Sequence, residues 1–235
     1  MRVSLSIWLL LLTLPAMTWA EQPLRPFQVT YQTNLGPLSA TAERSLSLGR
    51  DGNWLFQSRA SVFGLTVTEQ STVALRANRI QSLRYEYDNP LSSKRNLSLR
   101  FDWAQRKLTD TLRGNTRDLP DGTFDRLGFQ LQLQRDVCQG GAPFRVQDYL
   151  LADANKFKTY RIEYLSRETL KTKVGKLDTV KLRQYRPGKA GDTLIWLAPA
   201  WDCLLVQLED RDDDDNQVLK LVKAAVAGRE VTGAR

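Results

Sequence analysis

The absence of histidine and the presence of two cysteines decide which chemistries are open to this chain. Histidine is the commonest general base near neutral pH and the commonest zinc ligand. Ser-His-Asp and Cys-His catalytic sites are therefore excluded, and a zinc site would need an unusual shell of carboxylates, with or without cysteine. The chain also lacks a glycine-rich phosphate loop, a CxxC pair and a nucleophile elbow. We expect a protein that is not an enzyme and has no catalytic residues, metal site or cofactor.

The two cysteines, Cys138 and Cys203, are expected to form a disulfide if the chain is exported to an oxidising compartment. A loop of this length contributes about 4 kcal/mol to stability in the chain-entropy model, provided that the bond is unstrained. The alternative is a reactive thiol, which needs a nearby base, and the usual base is absent. Alkylation of the secreted protein without reductant distinguishes the two.

An acidic run at residues 209–216, EDRDDDDN, is the most conspicuous charge cluster. Clustered carboxylates can hold a hard cation such as Ca²⁺. This run lacks the alternating spacing and central glycine of an EF-hand loop, and it lies between two segments with strand-like patterns. A solvated hairpin tip is therefore the favoured interpretation.

The first 20 residues have the pattern of a secretory signal. A basic start at Arg2 is followed by an apolar run at residues 7–14, by Pro15 and by small residues before position 21. The apolar run is shorter than the about 20 residues that span a bilayer, and no cysteine follows the cleavage point. We expect residues 1–20 to be removed and residues 21–235 to form a single periplasmic domain with no transmembrane segment. A retained N-terminal anchor is the alternative.

Period-two alternation of apolar and polar side chains dominates the rest of the chain. Because successive side chains of a strand point to opposite faces, this pattern predicts half-buried strands. Turn residues recur about every ten residues, which is typical of an antiparallel sheet built of hairpins. The predicted strands lie at 27–31, 38–48, 54–61, 65–73, 80–87, 97–103, 160–164, 171–185 (a hairpin), 193–197, 204–208 and 218–222.

One segment, residues 123–137, breaks this rhythm. Leu127 and Leu131 recur at helical spacing, and Thr123 is positioned to cap the first turn. Alternation over residues 129–133 also fits a strand, so both interpretations stay open, with the helix favoured. The sheet is large relative to one helix, which favours a concave face that the helix covers only in part.

Three further predictions concern the residues that follow this segment. Cys138 is expected to lie just past the helix end and to be tied to the late strand that contains Cys203. Residues 139–155 are the longest irregular stretch and form a flap in one interpretation. The tail from residue 227 is expected to be frayed.

Large aromatic side chains occupy alternate positions in the first half of the chain. In one interpretation they line a concave apolar face that holds an acyl chain, as in open barrels. In the other, which is favoured for most of them, the helix covers this face and the aromatic residues are core. The candidate ligand-binding residues are Phe27, Tyr31, Trp54, Phe56, Tyr85, Phe101 and Trp103.

Six short segments follow one another along the chain: FQVTY at 27–31, ASVFGL at 60–65, LRYEY at 83–87, DRLGF at 125–129, GKLDTV at 175–180 and IWLAP at 195–199. In this order they resemble domain-of-unknown-function family 3108 (DUF3108), a family of exported bacterial proteins. The resemblance implies a mainly β fold. It would be a single curved antiparallel sheet, a half-barrel similar to periplasmic lipoprotein carriers, with one helix near the concave face. It implies no catalytic residues.

The formal net charge of +8 favours anionic partners such as lipid headgroups. Basic residues are interleaved with acidic ones, so a nucleic-acid groove is not expected. We expect a periplasmic, non-enzymatic protein that binds or chaperones a lipid-like or amphiphilic envelope component. The alternatives are an envelope interaction module, which docks a partner protein through edge strands or residues 139–155, and a carboxylate-based glycan hydrolase.

Overall fold

The structure, a computed structural model, describes residues 24–35, 38–62, 64–139, 144–212 and 215–234. The expected signal segment at 1–20 lies outside these ranges, as does the centre of the acidic run at 213–214. Within the described part of the chain, no helix is both long and apolar enough to cross a membrane.

The described residues form one α-helix and a series of strands. The strands before the helix are β1 Phe27–Leu35, β2 Leu38–Leu48, β3 Trp54–Val62, β4 Leu65–Arg76, β5 Arg79–Asp88, β6 Leu97–Asp102, β7 Lys107–Asp110, β8 Asn115–Asp118 and β9 Thr123–Phe124. The helix α1 spans Arg126–Gln139. The strands after it are β10 Val146–Ala152, β11 Phe157–Thr172, β12 Gly175–Tyr185, β13 Asp192–Ala198, β14 Leu204–Asp212, β15 Asp215–Val226 and β16 Arg229–Glu230.

All strands belong to one sheet with the order β8-β7-β6-β5-β4-β3-β2-β1-β15-β14-β13-β12-β11-β10-β9, and β16 pairs with β15. Every neighbouring pair is antiparallel except β9 and β10, which are parallel. The pairing of β1 with β15 joins an N-terminal half of the sheet, β1 to β8, to a C-terminal half, β9 to β15. The predicted mainly β fold, a single antiparallel sheet with one helix, is confirmed, and the sheet is large, not closed and antiparallel apart from the β9–β10 pair.

The two ends of this sheet, β8 and β9, lie near each other although no ladder joins them. Only residues 119–122 separate β8 from β9 in the sequence. The Arg117 guanidinium on β8 donates to the carbonyl oxygen of Ala154, at 2.5 Å, and to that of Asp153, both just after β10. It also lies 4.9 Å from the centre of the Phe157 ring. The sheet is therefore barrel-like, with a seam bridged by one side chain.

Helix α1 is buried around most of its circumference. Its apolar residues Leu127 and Leu131 are at most 1% exposed, and two polar residues are also buried. The Gln132 Oε1 accepts a hydrogen bond of 2.7 Å from the Ile80 backbone N–H, and Arg135 donates to Asn78 Oδ1 at 3.0 Å. A helix at a convex surface would present a solvated face. The helical interpretation of this segment is confirmed, and the strand interpretation of residues 129–133 is wrong.

Strand β13 is buried on both faces, because other parts of the chain cover its outer side. The Trp196 indole N–H donates to Glu168 Oε1, and the Lys181 ammonium lies 4.8 Å from the Trp196 ring centre. The C-terminal segment is also ordered against the sheet, since Val231 is 1% exposed and Ala234 pairs with Lys176. The expected fraying from residue 227 is therefore wrong for the described residues up to 234.

The expected irregular stretch at 139–155 is only partly irregular. Residues 146–152 form strand β10, which pairs with both β9 and β11. Residues 140–143 lie outside the described ranges, so the flap interpretation is limited to them and to the short flanking turns. Strand β10 was not predicted, because its sequence, VQDYLLA, does not alternate regularly between apolar and polar residues, and its first residues are mostly exposed.

Candidate functional site

A cavity of about 270 Å³ lies between α1 and strands β10 to β14. Its described lining comes from the helix and the C-terminal half of the sheet, and from no residue of β1 to β8. Small-molecule sites span roughly 300–1,000 Å³, and this volume is close to the lower end of that range. It is larger than an engineered cavity of about 150 Å³ that binds benzene. A single chain of a small amphiphile is therefore a suitable occupant by size.

One face of the helix forms one wall of this cavity. Arg126, Phe129, Gln130, Leu133 and Gln134 line it, at spacings of three or four residues along α1. Side chains at such spacings lie one above another on the same side of a helix. The wall changes from charged at the first turn to apolar at Leu133.

Strand register gathers polar side chains at one end of the cavity, which we call the mouth. Gln184 on β12 pairs with Thr193 on β13, and Thr193 pairs with Asp210 on β14. The Thr193 hydroxyl donates to Asp210 Oδ1 at 3.2 Å. The mouth consists of Arg126, Asp153, Lys158, Gln184, Thr193 and Asp210.

Apolar side chains lie deeper, in a region that we call the floor. Ile195 is paired with Leu208, and Leu197 is paired with Leu205. A register shift between β13 and β14 leaves Val206 without a partner, so Leu205 and Leu208 face the same cavity although they are three residues apart. The floor consists of Leu133, Ile195, Leu197, Leu205 and Leu208.

Three charged groups of the mouth, Arg126, Asp153 and Lys158, are paired with each other. The Lys158 ammonium forms an ion pair with Asp153, and Arg126 Nη2 lies 3.8 Å from Asp153 Oδ1. Partial burial alone would raise the pKa of Asp153, but the hydrogen bond from Lys158 and the nearby charges outweigh it and hold this pKa below its usual value. Arg126 also stacks over Tyr87, 5.4 Å from the ring centre. Asp153 is therefore a charged partner of two cations at neutral pH.

The first turn of α1 is fixed by a buried carboxylate, Asp125. Its Oδ1 accepts hydrogen bonds from the backbone N–H groups of Leu127, at 2.9 Å, and Gly128, at 2.8 Å. Ser71 on β4 donates to its Oδ2 at 2.7 Å, and the Asp125 N–H donates to Ser82 Oγ on β5 at 2.9 Å. Such a cap satisfies amide groups that have no partner within the helix.

The capping residue differs from the expected one. Thr123 lies in β9, and its hydroxyl donates to the Pro120 carbonyl oxygen at 2.8 Å. The helix begins at Arg126, so Asp125 holds the capping position and the assignment of Thr123 is wrong. Both residue types cap helices well, and sequence alone did not separate them because the two-residue strand β9 is too short to show a pattern.

Burial dominates the electrostatics of Asp125. Desolvation raises the pKa of its carboxyl to about 6, although the hydrogen bonds from Gly128, Ser82 and Ser71 act in the opposite direction. Gly128 is required here, because a Cβ atom would lie 2.7 Å from Ser82 Oγ and 3.1 Å from Asp125 Oδ2. The shifted pKa belongs to a closed capping site, since Asp125 is 0% exposed.

A disulfide fixes the other end of α1. Cys138 and Cys203 are bonded, with a distance of 5.9 Å between their Cα atoms. Cys138 lies within the last helical turn, so its expected position past the helix end is wrong, and Cys203 lies in the turn before β14. Because Cys203 is close to the floor and Arg126 is in the mouth, the helix runs along the cavity from mouth to floor.

The seven aromatic residues predicted to bind a ligand lie elsewhere. Phe27, Tyr31, Trp54, Phe56, Tyr85 and Phe101 are buried, and Trp103 is partly buried against the same core. The rings of Phe27 and Phe56 meet edge to face with centres 5.4 Å apart. The Tyr31 hydroxyl donates to the Leu205 carbonyl oxygen at 2.9 Å.

None of these seven residues lines the cavity beneath α1, so their role in ligand binding stays a prediction. The cavity-lining residues of the C-terminal half were not identified from the sequence. The available signal was that Thr193, Ile195 and Leu197 lie at alternate positions of a predicted strand, so they share the face that packs against the helix.

No group of three or more Cys, Asp or Glu side chains suited to a metal ion occurs among the residues that the structure describes. The acidic run joins β14 to β15 as an antiparallel hairpin, which fits the predicted location, although its tip lies outside the described ranges.

The chain matches solved structures to different extents. The chain is similar to a beta-barrel-like protein of domain of unknown function DUF1849 from Brucella abortus, with 13% identity, coverage of 86% of this chain and 98% of that one, and a TM-score of 0.54. It also matches a "putative lipoprotein" from Parabacteroides distasonis at 11% identity, with coverage of 87% and 100% and a TM-score of 0.36. A third match is MucB in complex with MucA(peri), at 12% identity, with coverage of 86% and 88% and a TM-score of 0.18.

No curated protein matches the chain. The similarity to the DUF1849 structure supports the barrel-like fold alone. Residues 27–222 match the family described as "Protein of unknown function (DUF3108)", which is most of the chain and every strand from β1 to β14. The chain therefore belongs to the DUF3108 family.

Proposed function

We propose that this protein is a non-enzymatic periplasmic protein that binds an amphiphilic component of the cell envelope beneath α1. The observation that carries the proposal is a cavity of about 270 Å³ with a charged mouth and an aliphatic floor. An amphiphile presents the same division, because its chain gains from leaving water and its headgroup does not. The cavity accommodates one chain, with the headgroup beside Arg126 and Lys158.

The anchoring of α1 supports a binding role over a transient packing defect. The helix is tied to β4 and β5 by Asp125 and to the β13–β14 turn by the disulfide. A wall held at both ends does not collapse onto the floor, so the space persists without a ligand. Pre-formed sites bind with a smaller ordering cost.

The periplasmic location rests on two features. The first 20 residues have a secretory pattern, and a disulfide fits an oxidising compartment. Expression of the full chain followed by N-terminal sequencing of the exported product tests this part directly. A mature protein that begins at residue 21 is expected, and an uncleaved product contradicts it.

Titration with a fluorescent fatty acid tests the binding site, using the mature protein after removal of co-purified lipid. The matched variants are Leu208→Gln and Leu219→Gln. Leu208 and Leu219 are cross-strand partners, both partly buried, and of the two only Leu208 lines the cavity. We expect Leu208→Gln to weaken binding about tenfold or more, since it places an amide in the apolar floor. Leu219→Gln should bind as the wild type does.

Two results would contradict the proposal. One is a wild-type protein that binds no probe at any chain length. The other is equal loss of binding in the two variants, which would indicate a general effect on folding. Thermal unfolding of both variants is recorded in parallel, so that a change in stability is separated from a change in the site.

A second candidate function is docking of an envelope protein. Three exposed apolar residues support it: Val146, Tyr164 and Leu165, with exposed fractions of 58%, 40% and 44%. They lie where β10 meets β11, and Leu165 is the bulged residue of β11. Tyr164 and Leu165 are adjacent, whereas Val146 is paired with Glu163 and points to the other face of the ladder from Tyr164. Exposed apolar area is characteristic of interaction sites. A photo-crosslinker at Tyr164, compared with one at the isolated exposed Leu48, separates a specific partner from background.

A carboxylate-based glycan hydrolase is the weaker alternative. It requires two carboxyl groups roughly 5–9 Å apart in an accessible cleft. The buried Asp125 has no solvent access, and Asp153 is paired with two cations. Release of labelled fragments from purified peptidoglycan would favour this alternative over the binding proposal.

A further inference from the structure

A second cavity, on the outer face of the sheet, has a different chemical character from the cavity beneath α1. It has a volume of about 470 Å³ and lies between the tip of the β11–β12 hairpin and the outer side of β14 and β15. Four lysines line it: Lys171, Lys173, Lys176 and Lys220. We call it the lysine groove.

The fold brings these lysines together from two separate parts of the chain. Lys171 on β11 pairs directly with Lys176 on β12, and Lys173 lies in the turn between them. The hairpin folds back so that β11 contacts β15, which carries Lys220. The four residues are therefore neighbours in space because of the curvature of the long hairpin.

The hairpin tip is held in place by the C-terminal segment. The Gly233 N–H donates to the Val174 carbonyl oxygen at 2.7 Å, and the Lys176 N–H donates to the Ala234 carbonyl oxygen at 2.7 Å. A Cβ atom at Gly175 would lie 2.8 Å from the Gly233 carbonyl oxygen, and Gly175 has a φ of +109°. The groove is thus a defined feature of the fold.

The described lining of the groove carries charges of one sign. None of its twelve described lining residues is acidic. By contrast, the cavity beneath α1 and three other cavities of the described residues each include at least one carboxylate. Lys171 and Lys176 are directly opposite each other, and a pair of like charges does not by itself stabilise a sheet.

We propose that the lysine groove docks the protein on an anionic lipid bilayer surface. All four lysines are exposed, and the groove contains no arginine. An ammonium group is a compact point charge without the planar fork that matches one carboxylate or phosphate, so a cluster of lysines suits the diffuse negative potential of a membrane better than a defined peptide. The net positive charge of the chain adds long-range attraction.

This inference does not depend on the amphiphile proposal, because the two sites share no lining residue. A protein with a vacant or unused inner cavity would still bind anionic membranes through the groove. Substitutions at the floor are expected to leave membrane binding unchanged.

The test is co-sedimentation of the mature protein with vesicles. One set contains phosphatidylglycerol and phosphatidylcholine, and the other contains phosphatidylcholine alone. The variant Lys171→Glu/Lys173→Glu/Lys220→Glu is compared with a control, Lys94→Glu/Lys156→Glu/Lys189→Glu, which has the same net charge and alters exposed lysines outside the groove. Each lysine near an anionic surface contributes about fivefold to binding, so the groove variant should bind about a hundredfold more weakly.

The expected pattern is binding of the wild type to the anionic vesicles alone, little change in the control variant and loss at high salt. Equal loss in the two variants, or no vesicle binding by the wild type, overturns the proposal. Binding to polyglutamate without binding to vesicles also overturns it and indicates an acidic protein partner. If the Glu variants do not fold, as judged by circular dichroism, the corresponding Gln variants replace them and are held to the same outcomes.

Discussion

Both halves of the sheet present a concave face to α1, but side chains fill the space between that face and the helix to different degrees. In the N-terminal half, aromatic rings such as Tyr31, Phe56 and Tyr85 fill the space, and each is at most 2% exposed. In the C-terminal half, aliphatic side chains such as Leu205 and Leu208 leave a cavity of about 270 Å³. The comparison shows that side-chain volume and helix placement, more than strand number, decide which half is open.

The difference also follows from where the helix is fastened. Several polar anchors reach the N-terminal half, through Asp125 to Ser71 and Ser82 and through Gln132 to Ile80. Toward the C-terminal half, the helix is held by the disulfide near its end, by the Tyr149 hydroxyl, which donates to Asp136 Oδ2 at 2.7 Å, and by the Arg126–Asp153 pair at its start. The central turns of α1 therefore stand away from β13 and β14.

The largest expected effect is loss of packing in the filled half. Phe56→Ala should lower the free energy of unfolding by about 3–5 kcal/mol. Phe56 is 2% exposed, and loss of its ring leaves a cavity that the tightly packed neighbouring side chains cannot fill. The matched change in the open half, Leu208→Ala, should cost less than about 2 kcal/mol. Urea unfolding of both variants measures the difference. Equal costs would show that the two halves are packed alike.

Removal of the disulfide should have the next largest effect. Replacement of both Cys138 and Cys203 by serine is expected to lower the free energy of unfolding by about 2–5 kcal/mol. It also releases the floor end of α1, so binding of a fatty-acid probe should weaken more than the loss of stability explains. Denaturation curves and probe titration at a temperature where the variant is folded provide the check. Unchanged probe affinity would mean that the N-terminal cap alone positions the helix.

A pH-dependent effect is expected at the Asp125 cap. Its pKa of about 6 in the folded protein exceeds the ordinary value of 3.8 for an aspartate, so the folded state binds more protons between these two values. The stabilisation from the protonated carboxyl is complete below about pH 4 and is lost as the pH rises through 6. Relative to Asp125→Asn, the wild type should lose about 2–3 kcal/mol of stability between pH 4 and pH 7.

Unfolding of the wild type and of Asp125→Asn across this pH range tests the expectation, since other titrating groups cancel in the difference. A constant difference between the two proteins would show that the carboxyl titrates normally. Asp125→Ala serves as the control for the cap itself and should be destabilised at every pH, because both serine hydroxyls and two helix amides lose a partner.

The smallest expected effect concerns the charge at the mouth. Lys158→Gln should weaken binding of a fatty acid by about threefold and leave binding of the fatty alcohol of equal length unchanged, because the ion pair is partly solvated. Lys156→Gln, at a neighbouring exposed lysine that does not line the cavity, is the control. A fatty alcohol that loses affinity to the same extent would show that Lys158 acts through packing.

Much of the sheet could be predicted from the sequence, because alternation directly reports which strands have one buried face. Most of the long strands were found for this reason, although only residues 160–164 and 171–172 of β11 lay within predicted strands and β10 was missed. The short strands β7, β8 and β9 were not, since two to four residues do not establish a period. Strand β13 was predicted although it is buried on both faces. The burial of Trp196 on its outer face was not predicted, because the residues that cover it belong to distant segments and leave no local sequence pattern.

The cavity could not be predicted for a related reason. Alternation identifies side chains that point inward, but the free space depends on how distant elements fit together. The bulge at Val206 is decisive, because strict alternation places Leu205 and Leu208 on opposite faces of β14. The aromatic residues were correctly identified as inward-facing in most cases, yet their bulk is what removes space from their half of the molecule.

The seam between the ends of the sheet has a mechanical consequence. Across other neighbouring strands, separation breaks a row of backbone hydrogen bonds, whereas at the seam the described contacts between β8 and the end of β10 come from the Arg117 side chain. The buried Arg117 Nε has no hydrogen-bond partner within the described residues, so part of the cost of burying this guanidinium is not recovered. The sheet is thus weakest along one line, and any separation of its two ends would begin there.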